Sequence, residues 1–187
     1  MTTMTEIKNT QKKYGLFSII FHWVIAISVI GLFGSGLWMV ELGYYDSWYT
    51  KAPDLHRSVG LCLLLWVLIS LAWRFLQLKP EHLTTHNKFE RLSGYLMHYV
   101  LSMLLVLVLF SGYFISTAQG SGIEVFSWFE VPGFGSFIEN QEDKSGLVHW
   151  VTAYLLAVAA TGHGLAALKH HFIDNDDTLN RILIRRP

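Results

Sequence analysis

The sequence predicts an all-α integral membrane protein, a four-helix bundle with both termini in the cytoplasm. Three features support this prediction: the composition, four long apolar segments, and the uneven distribution of basic residues between the connecting segments. Of the 187 residues, 52% are hydrophobic and only 15% are charged, whereas soluble domains carry about 25% charged residues. This composition indicates a chain surrounded by membrane lipid, and we expect no nucleic-acid partner.

Four apolar segments are long enough to cross the hydrocarbon core of a bilayer, which takes roughly 20 helical residues. They cover residues 16–40, 59–78, 92–118 and 147–168. The first segment exceeds the apolar core of a signal peptide, about 7–15 residues, and no small-residue cleavage site follows it. We therefore expect it to be retained as a span. Since neither a repeat nor a second soluble domain is evident, the chain is interpreted as one domain over residues 1–187.

Basic residues set the predicted orientation. With the N-terminus in the cytoplasm, ten lysines and arginines fall in cytoplasmic segments, and only Lys51, Arg57 and Lys144 lie outside. Such an excess is the positive-inside signal of membrane proteins. Two loops then lie outside: residues 41–54, which are short and aromatic, and residues 119–146, which are long and rich in glycine. The aromatic run in the second loop, FSWF at 126–129, either lies on the membrane surface or folds over the end of the bundle.

Five of the nine histidines lie in the predicted spans or at their mouths: His22, His56, His98, His149 and His163. An ionisable residue inside a membrane is costly to bury and indicates a functional site. An interhelical hydrogen bond would explain one such histidine, but five favour a shared ligand. The single cysteine, Cys62, excludes an iron–sulfur cluster and covalent haem attachment through a C-x-x-C-H motif.

The depths of four of these histidines form two pairs. His22 and His163 lie about 9 and 8 Å inside the cytoplasmic ends of their spans, and His56 and His149 lie at outer mouths. His149 and His163 are fourteen residues apart; this spacing turns a helix through about 1400° and rises about 21 Å. Both rings therefore leave one face of the fourth helix near opposite leaflets. This arrangement predicts two non-covalent haems stacked across the membrane, since histidine is the usual axial ligand of such haems.

Other residues near the predicted haem levels each have more than one interpretation. His98 could replace one ligand, hydrogen-bond a propionate or serve a quinone site. Arg57 and Arg74 could pair with propionates of the outer and inner haem, or their side chains could extend to the lipid headgroups. Gly36 and Ser70, each fourteen residues from a predicted ligand, either give a haem clearance or allow close helix packing. Solvated or headgroup-facing positions are expected for the remaining histidines: His82, His86, His170 and His171.

Several short motifs resemble the bacterial cytochrome b561 family. They are FHW at 21–23, LHRSVG at 55–60, VHW at 148–150 and the histidine-rich run at 162–172, which is followed by DTL at 177–179 and by Arg181. The C-terminal run is the most specific of them, and the resemblance covers nearly the whole chain from about Tyr14 onward.

The resemblance implies a small di-haem cytochrome of the bacterial inner membrane, with two b-type haems, typified by superoxide:ubiquinone oxidoreductase. Electrons would pass from superoxide outside to ubiquinone in the membrane, and Lys51, Arg57 and Lys144 are candidates for steering the anion. The predicted outer face carries eight acidic residues against these three basic ones. That field would repel an anion unless local basic charge overrides it.

Two other function classes fit parts of the sequence. The same four-helix, four-histidine plan occurs in cytochrome b subunits that relay electrons between a hydrogenase or dehydrogenase partner and quinone, and such a chain would co-purify with a large redox subunit. A metal or proton transporter using the buried histidines would be colourless, and the predicted spans lack the carboxylates that ion pathways usually contain.

Overall fold

The computed structural model describes residues 7–81, 83 and 86–183, and four long helices dominate them. Helix α1 covers Leu16–Met39, α2 covers Lys51–Leu76, α3 covers Lys88–Ser116 and α4 covers Gln141–Phe172. A single short 3-10 turn, Asn180–Ile182, follows them within the described residues. Each of the four helices is long and apolar enough to cross a membrane. The predicted all-α, four-helix membrane fold is confirmed.

Helix α3 begins four residues earlier than the sequence predicted, at Lys88 rather than at residue 92, and α2 and α4 begin earlier by more than that. Helix α2 starts at Lys51 rather than at residue 59, and Pro53 lies in its first turn, where proline is tolerated because its nitrogen would have no partner. Helix α4 starts at Gln141 rather than at residue 147. The apolar runs mark only the lengths suited to the hydrocarbon core, whereas both helices continue beyond them through polar turns. Parts of the two predicted outer loops are therefore helical.

The segment between α3 and α4 contains a β-hairpin that the sequence analysis did not predict. Strand β1, Ile123–Val125, pairs antiparallel with strand β2, Phe129–Val131. The turn between them holds Phe126 and Ser127 at positive φ. The Phe126 N–H donates a hydrogen bond of 3.1 Å to Ser58 Oγ, so the hairpin folds against the start of α2, while Trp128 at its tip is 81% exposed.

The buried apolar core is small and lies between three of the helices. It consists of Leu63 and Val67 from α2, Leu105 and Val108 from α3, and Leu156 from α4. Helices α1 and α2, α2 and α3, and α3 and α4 pack side by side, whereas α1 and α4 approach each other at few positions. Most other apolar side chains face outward, as expected where lipid is the solvent.

Candidate functional site

Two of the four histidines of α4, His149 and His163, each face a histidine of another helix. The ring centres of His163 and His22 from α1 are 6.4 Å apart, and those of His149 and His56 from α2 are 6.3 Å apart. The two α4 histidines are separated by fourteen residues, or about 21 Å along the helix axis. The structure thus brings together the two pairs that the depths of the histidines suggested.

The spacing within each pair fits two imidazoles on opposite sides of one metal ion. A metal–imidazole bond is about 2 Å long, so two such bonds and the two ring radii place the ring centres roughly 6 Å apart. The rings of the two pairs stand at 64° and 71° to each other rather than stacking face to face. A donor set of two imidazoles is one that holds non-covalent haem iron. The residues present therefore fit haem at both positions.

Hydrogen bonds orient the rings of the outer pair, His56 and His149. His149 Nδ1 lies 2.8 Å from the Val108 carbonyl oxygen and 3.3 Å from Ser111 Oγ, and His56 Nδ1 lies 3.0 Å from Ser35 Oγ. When Nδ1–H donates to a carbonyl, the lone pair is on Nε2 and available to a metal. These partners were missed from the sequence, because serines and backbone carbonyls in apolar helices carry no signal of what faces them.

Two glycines stand against the rings of the outer pair. A Cβ at Gly112 would lie 3.1 Å from His149 Cε1 and 3.2 Å from its Nδ1, whereas a Cβ at Gly36 would lie 3.5 Å from His56 Cε1. Only the contact at Gly112 is tighter than ordinary van der Waals distance. Glycine at this position therefore allows α3 to approach His149 closely. The sequence analysis had identified Gly36 but not Gly112.

His98 of α3 lies beside the inner pair, His22 and His163. Its ring centre is 5.0 Å from that of His163, closer than the 6.4 Å that separates His163 from His22. This spacing is shorter than two imidazoles need when they face each other across one ion. The geometry favours a position next to the His22–His163 pair rather than in place of one of its members. Arg74 Nη1 reaches the same level, 3.5 Å from Ser102 Oγ, one turn beyond His98.

The three basic residues predicted on the outer side are exposed and locally engaged. Arg57, next to His56, forms an ion pair with Asp54. Lys144 Nζ donates a 2.8 Å hydrogen bond to the Glu139 carbonyl oxygen, and Lys51 Nζ lies 6.0 Å from the centre of the Trp48 ring. The positive charge of Arg57, which lies nearest the outer pair, is therefore partly offset by the carboxylate of Asp54.

The expectation of a solvated position was wrong for His86 and His170, whereas a position that faces the lipid headgroups stays a prediction. Both are half-buried, with ring centres 4.6 Å apart, beside the buried carboxylate of Asp176 at the end of α4. His171 is half-buried as well, and His82 lies outside the described residues. A contact between two segments about ninety residues apart in sequence has no local signature, so their positions outside the apolar spans predicted solvent or lipid headgroups around them.

Comparison with known proteins shows which family the chain belongs to. Residues 13–184 match the family model described as prokaryotic cytochrome b561. A relative from Escherichia coli (strain K12), cytochrome b561 homolog 2, is 46% identical over 175 residues, which cover 94% of this chain and 93% of the relative. A protein of Yersinia pestis named "Probable superoxide oxidase CybB" is 25% identical over 187 residues, covering 94% of this chain and 98% of that protein. The chain therefore belongs to the prokaryotic cytochrome b561 family, whose members are haem b proteins of electron transfer, and it is a multi-pass protein of the bacterial inner membrane.

Proposed function

We propose that the chain holds two b-type haems and transfers electrons from superoxide to ubiquinone. His22 and His163 would hold the inner haem, and His56 and His149 the outer one. The observation that carries the proposal is the pair of histidine–histidine spacings, 6.4 and 6.3 Å, at two levels of α4. When bound, the haems supply one-electron carriers, while the protein sets ligation, separation and access.

The proposed reaction balances in electrons and protons. Two superoxide anions each lose one electron and become O₂, and ubiquinone gains two electrons and two protons and becomes ubiquinol. The side chains orient rather than react: α4 fixes the separation of the two levels, and the Val108 carbonyl and Ser35 hydroxyl orient the outer imidazoles. Neither half of the reaction requires a further metal.

Superoxide as the donor is supported by the name of the Yersinia pestis relative, a probable superoxide oxidase, and by the position of Arg57. The guanidinium of Arg57 follows the proposed ligand His56 directly in the sequence and is exposed, so it can attract an anion toward the outer pair. Asp54 pairs with this guanidinium and reduces its net attraction. Removing the charge of Arg57 should therefore slow the reduction of haem by superoxide, and removing the charge of Asp54 should accelerate it.

A second candidate function is supported by the acidic character of the predicted outer face. There the chain would accept electrons from a dehydrogenase or hydrogenase subunit and pass them to quinone. Arg57 is held by Asp54, and the predicted outer segments carry more acidic than basic residues. A negative field slows the approach of a small anion but favours a partner protein with a basic surface.

Haem counting tests the cofactor part of the proposal. Acid acetone should extract all the haem from purified protein, because the sequence has one cysteine and no C-x-x-C-H motif. A pyridine haemochrome assay against protein concentration should give two haems per chain. A firm count of one, or none, contradicts the two-haem arrangement.

Stopped-flow reduction by superoxide, with a ubiquinone analogue present, tests the donor and the acceptor. Arg57→Glu should slow haem reduction and Asp54→Asn should accelerate it, and both effects should shrink as salt screens the charges. Lys88→Glu is the matched control, since this exposed lysine begins α3 at the opposite end of the bundle. Fast quinol oxidation with no response to superoxide would contradict superoxide as the donor and support the relay from a partner subunit.

A further inference from the structure

We propose that His86, His170 and Asp176 form a binding site for a divalent transition-metal ion of the zinc type, separate from both histidine pairs. The three residues come from different segments. His86 precedes α3, His170 belongs to the last turn of α4, and Asp176 lies in the segment after α4. An ion here would join these segments at the end of the bundle that holds His22 and His163.

Two of the three distances between the donor atoms match the spacing of metal ligands. His86 Nε2 lies 2.9 Å and His170 Nδ1 lies 3.3 Å from the same carboxylate oxygen, Oδ2 of Asp176. All three donor atoms lie within 4.8 Å of one another. Ligands bound to one tetrahedral ion at about 2 Å lie roughly 3.3 Å from each other. Small shifts of the side chains would therefore bring all three within bonding distance of one ion.

His170 Nδ1 has no hydrogen bond that accounts for its position. This nitrogen is buried and makes no hydrogen bond of good geometry within the described part of the chain, although Asp174 Oδ2 lies only 2.8 Å away. A ring N–H aimed at neither carboxylate gains little from them, since hydrogen bonds weaken steeply away from linearity. A lone pair on the same nitrogen can bind an ion that Asp176 also binds.

The carboxylate of Asp176 is suited to bind a metal. Its side chain is 2% exposed, and a buried carboxylate is costly unless a cation or hydrogen bonds compensate it. Burial by itself would raise the pKa of Asp176, but hydrogen bonds from Thr178 and His86 outweigh it and leave the pKa below its usual value. Metal ligands must be deprotonated, and this one is already an anion.

The donor set selects the class of ion. Magnesium and calcium prefer all-oxygen ligands, whereas two imidazoles and a carboxylate suit zinc and its transition-metal neighbours. Asp174 stands next to the set as a fourth ligand. A hydrogen bond of 2.6 Å from Lys169 Nζ lowers the pKa of Asp174 but also competes for its oxygen. Asp174 should therefore contribute less to affinity than the three primary ligands.

Zinc binding by the purified, haem-containing full chain tests the site. After treatment with chelator, the protein is dialysed against Zn²⁺, zinc per chain is measured by mass spectrometry, and affinity is measured by competition with a chromophoric chelator. We expect one zinc per chain, with X-ray absorption showing nitrogen and oxygen ligands and no sulfur. His86→Ala and Asp176→Asn should each weaken binding at least about tenfold, since even removing groups that only orient metal ligands costs that much.

Asp177→Asn is the matched control, because it removes the same charge one residue away and its carboxylate accepts a hydrogen bond from Asn180 instead. It should bind zinc like the wild type. Unchanged haem spectra in all variants show that a loss of zinc does not reflect unfolding. Absence of zinc from the wild type, or zinc bound equally by His86→Ala and Asp176→Asn, overturns the proposal.

Discussion

At the scale of single residues, one turn of α3 determines the position of His149. The Val108 carbonyl and the Ser111 hydroxyl both lie within hydrogen-bonding distance of its Nδ1, and Gly112 leaves room for the ring. The same short stretch therefore fixes the tautomer, the orientation and the clearance of the imidazole. A ligand held in this way loses little freedom when it binds iron.

Gly112→Ala should weaken haem binding at the outer pair. The new Cβ would lie 3.1 Å from a ring whose Nδ1–H is held between the Val108 carbonyl oxygen and Ser111 Oγ. Overpacking of this kind costs about 1–3 kcal/mol, while replacing glycine in a helix recovers up to about 1 kcal/mol. Thermal release of haem, followed at the Soret band, should therefore begin at a lower temperature.

Gly94→Ala is the control for this experiment. Gly94 is also in α3, but an added Cβ there meets nothing within 4 Å, so only the gain in helix propensity applies. Its haem release should occur at the wild-type temperature or above it. Equal behaviour of the two variants would show that the ring of His149 moves freely.

Single histidine variants should separate the two haems. His22→Ala or His163→Ala should remove the inner haem, and His56→Ala or His149→Ala the outer one, because iron held by one imidazole loses half of its protein ligands. The pyridine haemochrome count should fall from two to one in each variant. His98→Ala should keep both haems, since its ring is only 5.0 Å from that of His163. Loss of a haem in His98→Ala, with one of the four other histidines dispensable, contradicts the assignment.

At the scale of elements, α4 sets the distance between the two sites, and both of its ends are anchored. At its start, the buried Gln141 side chain accepts a hydrogen bond from the Phe137 N–H and donates one to the Phe114 carbonyl oxygen. At its end, Lys169 pairs with Glu90 and Asp174. The helix is therefore tied to α3 near both ends, which keeps His149 and His163 at their levels.

Ser58→Ala should loosen the hairpin from α2. Ser58 is 2% exposed, and its hydroxyl accepts from the Phe126 N–H and donates to the Asp54 carbonyl oxygen. Without this acceptor the Phe126 N–H is left unpaired, which costs about 1–3 kcal/mol. Hydrogen exchange at Phe126 should accelerate accordingly. Ser121→Ala changes an exposed serine in the same segment and should leave that exchange rate unchanged; if both variants exchange alike, Ser58 does not hold the hairpin.

At the scale of the whole molecule, the four helices have an incomplete protein core. Helix α1 buries only Ile19 among its described residues, and it approaches α4 at few positions, although His22 and His163 face each other there. A flat apolar cofactor between these helices would supply packing that side chains do not. Helix α1 already packs on α2, so we expect bound haem to complete only its contact with α4.

Reporter fusions should place both termini in the cytoplasm. The prediction rests on the excess of basic residues at that end and on the even number of spanning helices. Green fluorescent protein at either terminus should fluoresce, and alkaline phosphatase there should be inactive. Alkaline phosphatase inserted after Glu139, between α3 and α4, should be active. Activity at a terminus, with an inactive insertion, reverses the orientation and exchanges the inner and outer histidine pairs.

The sequence by itself determined the four spans and the levels of the histidines. Span length follows from an unbroken run of apolar residues, and depth follows from a fixed rise per residue, so both are properties of one segment. The alignment of His149 with His163 on one face of α4 is likewise a local consequence of fourteen residues of helix. These features could be predicted because no information about neighbouring helices was needed.

Only the tertiary structure decided which further groups contact each histidine. The contacts of His149 with Val108 and Gly112, of His56 with Ser35, and of His86 with Asp176 all join segments distant in sequence. Which faces meet depends on how helices pack and where loops return, and an apolar helix surface has no polar pattern that specifies its neighbour. For that physical reason the further contacts of the paired histidines, the hairpin on α2 and the cluster of His86, His170 and Asp176 became visible only in three dimensions.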